Sequence, residues 1–161
     1  MAVTYTPIAT AQGTGSSAAI TFTSIPQTYT DLVLVMNIFT DVPANESVRV
    51  NSDTGNNYST TLIAGNGSSA VSTRYPNNSA FNILYNIYSA PTVSALTTMN
   101  FMNYSNTTTY KTVLTRAGNA NLGTEAFVGL WRNTAAITSI SLSTVTYTTN
   151  ASFTLYGIKA A

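Results

Sequence analysis

Apolar residues alternate with hydroxyl-bearing ones at period two in short runs, and almost every run stops at Gly, Pro, Asn or Asp. This is the pattern of half-buried strands separated by turns. Residues 3–8 form the first extended segment, and residues 12–17 (QGTGSS) read as a flexible link. The run 18–24 follows, with Ile20 and Phe22 on one face. Residues 31–39 (DLVLVMNIF) are apolar in both parities, Leu32, Leu34, Met36 and Ile38 against Val33, Val35 and Phe39. That pattern predicts a central strand buried on both faces.

Residues 47–51 and 58–64, joined by SDTGNN, predict a hairpin with Gly55 at positive φ. GNGSS at 65–69 and YPNNS at 75–79 bracket a weakly patterned stretch, and FNILYNIYSAP after it fits a strand or a short helix. Four clearer runs cover 93–104, 110–116, 126–132 and 136–148. The last segment, 151–159, sets Phe153, Leu155 and Gly157 against Thr154, Tyr156 and Ile158. About nine or ten strands without a helical period predict an all-β domain, a two-sheet β-sandwich of jelly-roll-like form. A single domain spans 1–161, with 1–10 as an N-terminal arm.

Composition narrows the function. Charged residues make up 7% of the chain and the formal net charge is +1, where about a quarter charged is usual. Arg49, Arg74, Arg116, Arg132, Lys111 and Lys159 are scattered, so no basic stripe is available for nucleic acid or an anionic membrane. So little charge also gives little self-repulsion, which suits a protein held in an assembly. No basic-then-apolar leader and no long apolar stretch is present, so the expectation is a soluble protein made without a signal peptide. The N-x-[ST] triplets at Asn45, Asn57, Asn66, Asn77, Asn103, Asn106 and Asn150 then read as chance in an Asn/Ser/Thr-rich chain.

The chain contains neither His nor Cys, which removes the commonest general base, the usual metal ligands and the thiol nucleophile. Among the acids Asp31, Asp41, Glu46, Asp53 and Glu125, only Asp41 and Glu46 are near in sequence, on a predicted solvated loop. Asp53-Thr54-Gly55 matches the tripeptide of aspartic proteases, which need two such aspartates in an apolar setting. One copy among polar turn formers reads instead as a turn. Asn51, Asp53 and Asn57 offer oxygen ligands for calcium, but with one carboxylate and the wrong spacing for a calcium loop. The expectation is a protein without catalytic residues, cofactor or metal.

Five segments carry a family resemblance: 24–34 (SIPQTYTDLVL), 53–59 (DTGNNYS), 103–116 (NYSNTTTYKTVLTR), 128–132 (VGLWR) and 153–159 (FTLYGIK). Together they resemble a group of small, mostly uncharacterised virion structural proteins of tailed bacteriophages from aquatic bacteria. In that group the DTGNNYS turn often follows a Phe-Asn-Gly stretch, whereas Arg49, Val50, Asn51 and Ser52 precede it here. The resemblance implies a structural protein of the virion and no catalytic residue.

With the composition, it makes a capsid decoration (cement) protein the leading expectation, a homotrimer bound to the major capsid protein. A tail-fibre or receptor-binding module recognising host glycans is the alternative. Candidate partner-binding residues are Val3, Tyr5 and Ile8, whose apolar spacing near the N-terminus asks for cover, and Tyr75, Tyr85 and Tyr88, in the least regular stretch. Phe153, Leu155 and Ile158 raise the same question at the other end, and Trp131 reads as core.

Overall fold

A computed structural model describes residues 4–16, 19–142 and 145–159. Among them are twelve strands: β1 (Tyr5–Gln12), β2 (Ile20–Phe22), β3 (Asp31–Ile38), β4 (Ser47–Val50), β5 (Tyr58–Gly65), β6 (Ala70–Asn78), β7 (Phe81–Asn82), β8 (Ala95–Phe101), β9 (Lys111–Asn119), β10 (Gly123–Trp131), β11 (Ile140–Leu142) and β12 (Ser152–Ile158). They form an eight-stranded sheet, ordered β1-β12-β3-β8-β9-β10-β5-β6, and a four-stranded sheet, ordered β2-β11-β4-β7. All pairings between the strands are antiparallel.

The winding is that of a jelly roll. From β2 to β5 the chain changes sheet at every connection, β5 and β6 stay together as a hairpin, and β7 and β11 return to the small sheet. The meander β8–β9–β10 occupies the place of one strand between β3 and β5, and β12 and β1 extend the large sheet beyond β3.

Alternation explains which side of each strand is buried. Leu32, Leu34, Met36 and Ile38 of β3, Met99 and Phe101 of β8, Phe127 and Trp131 of β10, and Phe153 and Leu155 of β12 are buried in one core with Ile20, Phe22, Val48, Val50, Ile140 and Leu142 of the small sheet. The second face of β3 differs from expectation: Val33 is buried between its neighbours Tyr156 and Asn100, but Val35 is 43% exposed. The strand is interior to the sheet, yet one of its faces reaches solvent.

Four further expectations are corrected. The SDTGNN turn does not close a hairpin, because β4 pairs with β11 and β7 in the small sheet while β5 pairs with β10 and β6 in the large one. Positive φ falls on Asn51 (51°) and Ser52 (54°), not on Gly55. Residues 81–91 form neither a helix nor a long strand: beyond the two-residue β7, Ile83, Leu84 and Ile87 enter the core from an irregular loop. Finally, residues 12–17 are no free link where they are described. Gly13 N–H donates to the Ala151 carbonyl and Gly15 N–H to that of Tyr147, both at 3.0 Å.

Candidate interaction face

The outer side of the eight-stranded sheet is built by the residues that alternate with the core. Thr154, Val35, Thr98, Arg116, Ala126, Ile63 and Ser72 stand in register across seven strands, and Tyr156, Val33, Asn100, Leu114, Val128, Thr61 and Arg74 form the next row. Thr154, Thr98, Ser72, Asn100 and Thr61 are the Thr, Ser and Asn expected on a solvated sheet. Four others are exposed and apolar, Ile63 (63% exposed), Val128 (54%), Leu114 (45%) and Val35 (43%), and Leu96 (62%), opposite Asn37 and Gly118, adds a fifth on the same face. Leu114 and Val128 are direct cross-strand partners, and Ile63 faces Ala126 beside them. In the two rows the charged side chains are Arg74 and Arg116, both exposed. Exposed apolar side chains on a charge-poor face are the make-up of interface centres.

Most other charges serve the fold. The Glu125 carboxylate, buried behind β10, accepts the backbone N–H groups of Tyr85, Asn86 and Ile87. Buried Glu46 accepts from the Tyr147 hydroxyl and from Ser47 N–H. Buried Lys111 donates to the carbonyls of Thr109 and Thr134, and desolvation lowers its pKa from the ordinary value.

The Asp53 carboxylate accepts from Trp131 Nε1, Asn57 Nδ2 and Gly55 N–H. Asn51 turns its side chain elsewhere, taking Thr138 and Ser139 N–H and donating to the Ala136 carbonyl. The oxygen triple considered for calcium is thus divided among protein partners. Among the described residues no three of His, Cys, Asp and Glu come together.

The sequence-predicted partner residues separate into two groups. Val3 lies outside the described residues. Tyr5 and Ile8 sit on β1, which pairs with β12 of the same domain from Tyr5↔Ile158 to Gln12↔Ser152, with a bulge between Pro7 and Ala9. Residues 5–10 are therefore an edge strand rather than a free arm. The apolar terminal segments cover each other, with Ile8 against the core and the exposed Tyr5 ring edge-on to Tyr156 at 6.2 Å.

Tyr75 and Tyr85 do meet, ring centroids 6.0 Å apart and tilted by 57°. Burial, then contact with Tyr85, raises the Tyr75 pKa. Tyr88 is exposed and makes no ring contact with either among the described residues, its carbonyl accepting from Asn119 Nδ2. The apolar outer cluster was missed in the sequence. Its signal was nevertheless present, because Leu114, Val128 and Ile63 are apolar residues of the wrong parity in otherwise alternating strands. No protein-family model matches the chain, and no curated protein sequence is similar to it.

Proposed function

We propose that this protein is a structural component of a phage particle, a decoration protein that seats the outer face of its large sheet on the major capsid protein. The observation that carries the reading is the set of apolar side chains Ile63, Leu96, Leu114, Val128 and Val35, with Leu114 and Val128 paired at its centre, exposed on a face whose central rows hold two arginines and no carboxylate. A broad, nearly uncharged sheet provides contact area without electrostatic steering, as a permanently assembled shell component requires. The jelly-roll winding and the resemblance of the segments around DTGNNYS and VGLWR to phage virion proteins support the same role. In this role the protein acts as a homotrimer on the outer surface of the particle.

Copy number tests the reading. Quantitative mass spectrometry of purified particles should find this chain in hundreds of copies, stoichiometric with capsomer positions. Tens of copies would place it in the tail, and absence from the particle would overturn the proposal.

A further inference from the structure

On the opposite side of the β5–β6 hairpin from the apolar face, two shallow grooves lie side by side. One, of about 320 Å³, is lined by Asn45, Glu46, Ser47, Tyr75, Asn82, Leu84 and Tyr85. The other, of about 330 Å³, adds Arg49, Asn78 and Ser79 to the shared Ser47, Tyr75 and Asn82. Tyr75 and Asn82 thus form the common wall of both. Each volume lies at the small end of the range for ligand clefts, about 300–1,000 Å³.

The walls are held before any ligand arrives. Ser47 of β4 pairs with Asn82 of β7. The Glu46 carbonyl accepts from Ile83 and Leu84 N–H, at 3.0 and 3.4 Å. The Glu125 carboxylate accepts from Tyr85 N–H at 2.9 Å and from the two residues after it. Tyr75 and Tyr85 both rest on the core. Two aromatic rings are therefore fixed at a groove, and the ordering cost that weakens flexible sites is already met by folding.

The polar complement is equally specific. The side-chain amides of Asn45, Asn78 and Asn82 make no hydrogen bond within the protein among the described residues. An amide presents a donor and an acceptor together, which matches neighbouring hydroxyl groups. Glu46 is engaged by the Tyr147 hydroxyl and Ser47 N–H, and Arg49 donates through Nε to the Ser79 carbonyl at 3.1 Å. One acid and one base leave no net charge to select an ionic ligand. Aromatic rings beside amides that seek hydroxyls, with no net charge across the two grooves, describe the chemistry of a pyranose.

We infer that the paired grooves on either side of Tyr75 and Asn82 bind a neutral oligosaccharide of at least two pyranose rings, one against Tyr85 and one toward Arg49. This site lies on the opposite side of β6 from the capsid-facing surface, so it stands or falls independently of the decoration role. The probes are neutral di- to tetrasaccharides built from glucose, galactose, mannose or N-acetylglucosamine, with sialylated and sulfated counterparts. They are presented on an array to the intact protein, and the hits are titrated by calorimetry.

The expected result is binding of at least one neutral series with a dissociation constant of about 0.1–1 mM or tighter. It should weaken about tenfold or more in both Asn82→Ala and Tyr85→Ala at unchanged melting temperature. Should Tyr85→Ala lower the melting temperature, Asn82→Ala decides alone. Binding of no neutral saccharide, binding of acidic glycans only, or neutral binding indifferent to Asn82→Ala would each overturn the proposal.

Discussion

Trp131 Nε1 donates a hydrogen bond to Asp53 Oδ2 at 2.7 Å, tying the end of β10 to the crossover between β4 and β5. The same carboxylate organises its own loop through Gly55 N–H and Asn57 Nδ2. Burial alone would raise its pKa, but the hydrogen bonds from Trp131, Asn57 and Gly55 hold it below the ordinary 3.8.

Asp53→Asn should therefore destabilise the protein at pH 7 by about 1–2 kcal/mol, discounted for the part of the carboxylate left in solvent. A folded pKa below the unfolded one contributes stability above the unfolded value and loses it as pH falls through the folded value. The gap between variant and wild type should accordingly close as acid is added below pH 3.8. Urea melts across that range measure it, and a constant gap would contradict the assignment.

Leu34 and Val35 are chain neighbours on opposite faces of β3, the first fully buried and the second 43% exposed. Leu34→Ala should cost about 2–5 kcal/mol through the cavity it leaves. Val35→Thr should stay within about 0.5 kcal/mol. Equal costs in equilibrium unfolding would mean that the outer face is covered within the monomer.

A Cβ on Gly13 would lie 2.0 Å from the Thr148 carbonyl oxygen and 2.8 Å from that of Tyr147. Gly13→Ala forces backbone apart and should cost about 1–3 kcal/mol. A thermal melt unchanged by this substitution would restore the flexible link and, with it, the swinging arm.

Much of the sandwich was legible because its determinants are local. Ile20 and Phe22, or Phe153 and Leu155, announce a buried face within a few residues, and the structure buries all four. Sheet membership is not local. Val48 and Val50 pair with Leu142 and Ile140, far along the chain, and no feature of SDTGNN distinguishes a crossover from a hairpin. Gly13 was misread for a related reason: glycine signals freedom in a sequence, but here it permits close backbone approach. At the tyrosines, irregular patterning did mark a surface, yet the acceptor that places Tyr85 lies on β10, some forty residues away.

Glu125→Gln should show that dependence. An amide replacing a carboxylate that serves three N–H donors turns an NH2 group toward one of them, costing about 1–3 kcal/mol. Hydrogen exchange should accelerate at Tyr85, Asn86 and Ile87 before the rest of the domain. Uniform protection would contradict a loop held by Glu125.

The proposed decoration role is tested most directly by co-sedimentation of the purified protein with undecorated capsids, assembled from the major capsid protein encoded beside it, comparing wild type with the double variant Leu114→Lys/Val128→Glu. The two positions are cross-strand partners, so the new charges pair with each other, net charge is unchanged and folding is preserved. Wild type should saturate the shells, and the variant should need about tenfold more protein or greater, since docking would bury an ion pair in place of apolar surface. A variant that saturates the shells at the wild-type concentration, or a wild type that does not sediment with them, would contradict the proposal that this face holds the protein to the capsid.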